Sequence, residues 1–141
     1  MCLGRVAAVD AQARVDVRAL ATVTAAPETF AGVGAGVARW GRFRTGFGAN
    51  ATVGLRDGHA AARGELWAGY HLNPLRARGW SAYGGAGGAL VAGGSDAQGY
   101  LTVFLGAERH PAAPRGWFIE VGVGGGPRAV VGYRVSRRGR A

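Results

Sequence analysis

A histidine, a serine and an aspartate lie in two turn-like segments that an up-and-down sheet would bring to the same edge. His59 follows Asp57-Gly58, and Ser95-Asp96 follow a pair of glycines. A serine beside a histidine base is the minimum for nucleophilic acyl transfer. Glycine, serine and aspartate are also ordinary turn residues, because their side-chain oxygens satisfy local backbone groups. No other feature supports catalysis, so we interpret these residues as turn-forming residues and expect a protein that is not an enzyme.

The remaining reactive side chains exclude several classes of site. All 17 basic residues are arginine, so a P-loop, a Schiff base and a lysine general base are excluded. Cys2 is the only cysteine, which excludes a disulfide and a cysteine-rich zinc site. His59, His71 and His110 lack metal-ligand spacing. We interpret His71 and His110 as structural or solvated residues, and we expect no metal and no cofactor.

The composition narrows the class of protein further. The chain is 48% hydrophobic with 27 glycines, yet no segment approaches the roughly 18 apolar residues of a membrane-spanning helix. The net charge is +9, and all of the basic residues behind it are arginine. The chain is also rich in alanine and glycine. We attribute this bias to a GC-rich genome and expect no nucleic-acid partner.

The clearest structural pattern lies in residues 43–56. The odd positions from Phe43 to Leu55 are apolar or small, whereas the even positions from Arg44 to Arg56 are glycine, arginine, asparagine or threonine. A strand's period of two sends these two sets to opposite faces of a sheet. The run is longer than an ordinary strand and carries no charge on its apolar face, which is typical of a membrane-spanning barrel strand.

The same alternation recurs in eight segments separated by turn residues. An eight-stranded antiparallel sheet without covering helices closes readily, because closure removes its edges. We therefore predict an all-β protein, a closed eight-stranded antiparallel up-and-down transmembrane β-barrel over residues 14–137. Residues 1–13 are interpreted as a residual signal peptide or an N-terminal linker, and 138–141 as a C-terminal tail. The predicted strands are about 14–23, 30–39, 43–56, 63–72, 79–91, 99–109, 116–123 and 128–137.

Alternation alone does not say which face points inward. A soluble or periplasmic lipocalin-like barrel would turn its apolar face inward around a small molecule, whereas a membrane barrel would turn it outward to lipid. The polar face is mostly glycine with a few charged residues, which makes a poor solvent surface but leaves room for large interior side chains. We therefore expect the apolar face outward and an interior charge network of Asp16, Arg18, Arg44, Glu65, Glu108, Glu120, Arg128 and Arg134. Within it we expect Arg44 to pair with Glu65, because the two lie on the inward faces of neighbouring strands.

The chain resembles the small eight-stranded outer-membrane β-barrels of Gram-negative bacteria, the outer membrane protein beta-barrel domain group. The resemblance covers about residues 14–137 and rests on the alternation, on the strand Trp80-Ser-Ala-Tyr83-Gly-Gly-Ala-Gly-Gly and on the final strand Tyr133-Arg-Val135. It implies a bacterial outer-membrane location and the outer-membrane assembly machinery as a partner. Such proteins usually end on an aromatic residue, whereas Ser136-Arg-Arg-Gly-Arg-Ala141 follows here, which bears on recognition by that machinery.

The expected role is that of a monomeric structural or accessory protein in contact with outer-membrane lipids. An eight-stranded barrel is just filled by its interior side chains, so we do not expect a diffusion channel. Trp40, Trp80 and Trp117 fall near one barrel end, and we interpret them as membrane-interface aromatics. Basic residues cluster at the same end, either as a solvated rim or as contacts to anionic headgroups. A second alternative is an outer-membrane lipid-modifying acyltransferase or hydrolase that uses His59, Ser95 and Asp96.

Overall fold

The computed structural model describes residues 14–25, 29–41, 44–93 and 96–138, apart from the side chain of Arg138. The segment 1–13, Phe43, Ser95 and residues 139–141 lie outside these ranges, so the predictions made for them stay predictions. Eight strands make up the described chain: β1 Arg14–Thr24, β2 Phe30–Trp40, β3 Thr45–Arg56, β4 His59–His71, β5 Trp80–Gly93, β6 Asp96–Arg109, β7 Arg115–Val123 and β8 Pro127–Arg138.

The strands form one closed antiparallel barrel in chain order. Each strand pairs with the next, and β1 closes the ring by pairing with β8. Val17, for example, lies opposite Val37 of β2 and opposite Val135 of β8. The predicted fold class is therefore confirmed. Within the described ranges there is no helix with the length and hydropathy to cross a membrane.

The strand ends differ from the prediction in a few places. β4 begins at His59, four residues before the predicted start, and pairs with β3 through a two-residue turn at Asp57 and Gly58. These turn residues have φ angles of 48° and 82°, the conformation that makes Asp-Gly a strong hairpin signal. β8 runs to Arg138, one residue into the predicted tail.

The two barrel ends differ in what they carry. The end that we call the termini end holds Arg14 and Arg138 together with Gly41, Arg44 and the turns 72–79 and 110–114. The opposite end, the hairpin end, holds the turns 57–58 and 124–126 and the strand ends at Thr24, Phe30, Gly93 and Asp96. Because the number of strands is even, the start of β1 and the end of β8 lie at the same end of the barrel.

The interior of the barrel, here called the lumen, is packed by large side chains set against glycines. A Cβ added at Gly132 would lie 2.3 Å from Cζ of Phe118, so only glycine fits where that ring crosses the lumen. The buried apolar side chains form three groups. These groups are Ala38, Trp40, Trp67, Tyr83 and Phe104; Leu20, Phe118 and Val130; and Phe30, Ala61 and Val91.

Candidate functional site: the interior charge network

The buried charged side chains of the described chain lie at inward positions of the strands. Burying a charge is costly unless a partner of opposite sign and further hydrogen bonds compensate it. The lumen meets this condition by mixing five arginines with four carboxylates and one histidine. These buried side chains are Arg14, Asp16, Arg18, Arg63, Glu65, His71, Glu108, Glu120, Arg128 and Arg134.

The layer nearest the termini end is centred on Glu108. Its carboxylate lies 2.8 Å from Nη1 of Arg14, 3.3 Å from Nε of Arg134 and 3.2 Å from Nε2 of His71. Arg14 also donates to Asp16 at 2.9 Å. This layer therefore holds two arginines and two carboxylates in one connected cluster, with the histidine ring against Glu108.

The central layer is centred on Glu120. Its Oε1 accepts a hydrogen bond from the Tyr83 hydroxyl at 2.8 Å and another from Arg18 at 3.2 Å. The Arg18 guanidinium also lies 4.1 Å from the centroid of the Phe118 ring, within cation–π distance. The Tyr83 ring stacks on His71 with 5.7 Å between centroids, which joins this layer to the one around Glu108.

The layer nearest the hairpin end is centred on Glu65. Arg128 donates to it through Nε at 3.0 Å and Nη2 at 2.7 Å, the two-pronged geometry that is strongest between arginine and a carboxylate. Arg63 donates from Nε to the same carboxylate at 2.8 Å. Arg128 also lies 3.2 Å from Glu120, so the three layers form one connected network along the lumen.

The turn 110–114 folds over the lumen at the termini end. Arg134 donates to the carbonyl oxygens of His110 at 2.9 Å and Ala113 at 3.2 Å. Arg14 donates to the carbonyl of Pro111 at 2.9 Å, and Pro111 is itself buried. The amide of His110 donates to the carbonyl of Gly79 at 2.8 Å, which ties this turn to the 72–79 turn. Two lumen arginines thus hold a turn across this mouth of the barrel.

Seven of the eight residues predicted for the interior network lie in the lumen, and Arg44 does not. β3 begins one residue after Arg44, which is exposed with a φ of 64° and donates to the carbonyl of Leu72 in a neighbouring turn. The expected pairing of Arg44 with Glu65 is therefore wrong. The partners of Glu65 are Arg63 on its own strand and Arg128 on β8.

Three further members of the network were absent from the predicted set: Arg14, Arg63 and His71. The alternation already placed all three on the polar face of their strands, so the signal that finds them is the period of two. His71 is fully buried between Tyr83 and Glu108, a structural position. His110, by contrast, lies half-buried in its turn, where its Nδ1 accepts a hydrogen bond from the amide of Gly79.

The acyl-transfer candidates lie at the hairpin end. His59 and Asp96 are exposed at the starts of β4 and β6, whereas Ser95 lies outside the described residues. Nδ1 of His59 is 3.1 Å from the carbonyl oxygen of Asp57 in its own turn, an ordinary local turn contact. Across the described ranges no three histidine, cysteine, aspartate or glutamate side chains are grouped so as to hold a metal ion.

The outward face of the barrel is apolar. Its large side chains are well exposed, as at Leu66 with 69%, Leu101 with 78% and Leu105 with 71% of their surface accessible. The outward positions of β4 run from Ala60 to Tyr70, about 33 Å along the strand and about 25 Å along the axis at a 40° tilt. This arrangement is the reverse of a lipocalin-like barrel, whose apolar face is inward.

Exposed aromatic side chains on the outward face lie toward the termini end. Trp80 and Trp117 are 46% and 53% exposed there, and Tyr70 is 47% exposed. Trp40 does not belong to this set, because β2 continues to residue 40 and the alternation turns its ring into the lumen, where it is 3% exposed. The prediction that Trp40 is an interface aromatic is therefore wrong.

Known structures share this architecture. No protein-family model matches the chain, and no curated protein matches it either. The N-terminal β-barrel domain of Pseudomonas aeruginosa OprF is 14% identical with a TM-score of 0.65, over 89% of this chain and 97% of that one. The outer membrane protein OprG from Pseudomonas aeruginosa is 11% identical with a TM-score of 0.55, over 94% of this chain and 98% of that one. The chain therefore has the fold of the eight-stranded outer-membrane β-barrels.

Proposed function

We propose that the protein is a bacterial outer-membrane β-barrel with a structural or accessory role, whose filled lumen does not conduct solutes. The observation that carries this proposal is the distribution of charge. Every described carboxylate lies in the lumen or at the hairpin end, while the outward face presents large apolar side chains. An apolar outer band around a charged interior is the arrangement that lipid favours and that water disfavours.

Membrane insertion is tested by refolding the chain into detergent or phosphatidylcholine vesicles. We expect the refolded barrel to resist SDS until it is boiled and then to migrate differently. A chain that purifies as a soluble monomer without detergent would refute the outer-membrane part of the proposal.

The contacts along the lumen support the second part, a barrel closed to diffusion. Arg18, Tyr83 and Phe118 meet at the central layer, and the turn 110–114 is held across the termini end by Arg14 and Arg134. Near the hairpin end, the cavity lined by Arg63, Tyr100 and Gly125 measures ≈ 10 Å³, which is room for a single water molecule. Eight-stranded barrels have an interior that side chains can fill.

Planar-bilayer recording tests the closed lumen. We expect no lasting unitary conductance from the wild-type barrel, since the central layer and the turn 110–114 both obstruct the axis. The matched control replaces Arg18 and Phe118 together by serine, which removes two large side chains that meet in the central layer and should raise ion flux. A stable unitary conductance from the wild-type chain would show that the lumen is open.

A further inference from the structure

The outward-facing arginines of the described strands all lie at the termini end. They are Arg39 near the end of β2, Arg109 at the end of β6, Arg115 at the start of β7 and Arg137 near the end of β8. All four are exposed. At the hairpin end the corresponding outward positions are alanine, valine, leucine, glycine or proline. We call the four arginines the arginine belt.

The pairing register places the belt residues close together around the barrel. Arg39 and Arg137 are the two cross-strand neighbours of Val15, so about 10 Å separates their strands. Arg115 lies opposite Val135, two residues before Arg137, and such diagonal neighbours are about 7–8 Å apart. The belt therefore follows a continuous arc from β6 to β2, where several guanidinium groups can reach the same layer of ligands.

The belt is bordered by aromatic rings on the side of the apolar band. Arg109 lies opposite Trp80 in the β5–β6 ladder. Trp117 follows Arg115 by two residues on the same face, and its ring packs on Tyr133 with 5.1 Å between centroids. Tryptophan and tyrosine favour the boundary between hydrocarbon and headgroups, so the arginines level with these rings or just beyond them can reach the headgroups.

No carboxylate on the described outward face can neutralise the belt. Asp16, Glu65, Glu108 and Glu120 are in the lumen, whereas Asp57 in its turn and Asp96 at the start of β6 are at the opposite end. A guanidinium keeps its charge at all physiological pH values, and its planar donors match the oxygens of a phosphate. The ligand that fits this arc is a layer of phosphate groups at the level of the interface.

We propose that the arginine belt binds the phosphate groups of anionic glycerophospholipids in the leaflet at the termini end of the barrel. The belt thus fixes both the depth and the direction of the barrel, because the hairpin end has no comparable group of outward charges in the described strands. This inference rests on the proposed insertion into a membrane.

The test uses the tryptophans of the belt as reporters. The wild-type barrel is refolded into phosphatidylcholine vesicles that contain phosphatidylglycerol brominated near the top of the acyl chain. Trp80 and Trp117 face lipid and are quenched on contact, whereas Trp40 and Trp67 are buried in the lumen. We expect phosphatidylglycerol to be preferred over phosphatidylcholine by about fivefold, the ratio that corresponds to ~1 kcal/mol for a basic residue at an anionic surface.

The variant Arg109→Gln with Arg115→Gln should lower this preference by severalfold. The matched control is Arg76→Gln with Arg78→Gln, which removes the same charge from the exposed turn 72–79 and should keep the preference. An equal preference for both lipids in the wild type, or an equal loss in the two double variants, would overturn the proposal. Displacement of brominated phosphatidylglycerol by an equal mole fraction of lipid A would also overturn it, since a phosphorylated glycolipid would then be the preferred ligand.

Failure of the belt and failure of membrane insertion give different results. If the chain does not insert, brominated phosphatidylcholine will not quench Trp80 or Trp117 at all. If the chain inserts without using the belt, brominated phosphatidylcholine will quench both rings while phosphatidylglycerol gains no advantage.

Discussion

Replacing Glu65 by leucine should be among the most destabilising single changes in the lumen. Glu65 is 8% exposed, and its carboxylate accepts hydrogen bonds from Arg63, from Nε and Nη2 of Arg128 and from the side-chain amide of Asn50 at 3.3 Å. The variant removes the carboxylate and leaves two buried guanidinium groups facing an apolar side chain. The effect therefore comes from uncompensated charge rather than from lost packing.

The size of the loss follows from the partners that remain. Arg63 still donates to the carbonyl of Gly124 at 2.9 Å, and Arg128 still lies 3.2 Å from Glu120. Each guanidinium therefore keeps one polar partner. Because of this, the loss of stability is smaller than the sum expected for breaking two separate ion pairs. We expect the free energy of unfolding to fall by roughly 3–5 kcal/mol, the range for removing one partner of a buried ion pair.

Equilibrium urea unfolding of the barrel in phospholipid vesicles measures this loss. The matched control is Asp96→Leu, which makes the same chemical change at an exposed position at the start of β6 and should shift the free energy of unfolding by at most about 0.5 kcal/mol. A triple variant, Arg63→Met with Glu65→Leu and Arg128→Met, removes the stranded charges as well. It should recover most of the loss, because an apolar replacement of a whole buried charge cluster is often neutral.

Two results would refute this reasoning. A loss below about 0.5 kcal/mol for Glu65→Leu would mean that this face is solvated, as for a surface substitution. A triple variant as unstable as Glu65→Leu would mean that the arginines stabilise the fold by packing and not by their charge.

Two further predictions concern the outward and inward faces of the barrel. Ala51→Arg, mid-strand on the outward face, should lower the free energy of unfolding in a bilayer by roughly 2–4 kcal/mol, whereas Leu55→Arg, near the hairpin end, should lower it by about 0–1 kcal/mol. Urea unfolding in vesicles compares the two variants, and equal losses would contradict a lipid-facing band. Gly132→Ala places a methyl group 2.3 Å from Phe118 and should lower the free energy of unfolding by about 1–3 kcal/mol. In the control Gly64→Ala, the added methyl group meets nothing within 4 Å, so this variant should be neutral or slightly stabilising. An unchanged free energy of unfolding for Gly132→Ala in the same urea experiment would contradict the packing of the lumen.

The period of two predicts which face a residue occupies but not where its strand stops. Arg44 and Trp40 show both sides of this limit. Arg44 has the right parity for the lumen, yet β3 begins at residue 45 and the turn backbone directs its side chain to the surface. Trp40 reads as part of a turn beside Gly41, yet β2 keeps its last pair and carries the ring inward. Strand ends depend on ladder pairing with neighbours, which the local pattern does not contain.

The sequence also could not predict which charged side chains pair with each other. Neighbouring strands suggested that Glu65 on β4 meets an arginine of β3. In the barrel, the long Arg128 side chain of β8 crosses the lumen to reach Glu65 instead. Which inward side chains meet across a narrow barrel is set by closure, stagger and side-chain length together. The early start of β4 was hidden for a simpler reason, since Ala60, Ala61 and Ala62 show no alternation.

The direct test of the central claim is the environment of position 51. A nitroxide is attached to Ala51→Cys in a background that carries Cys2→Ser, because Cys2 is the only native cysteine. Its relaxation by oxygen, which concentrates in lipid, is then compared with relaxation by a water-soluble nickel complex. An outward apolar face in a bilayer predicts high access to oxygen and low access to nickel. High access to nickel would mean that water covers this face, and low access to both would mean a dry interior; either result would contradict the account.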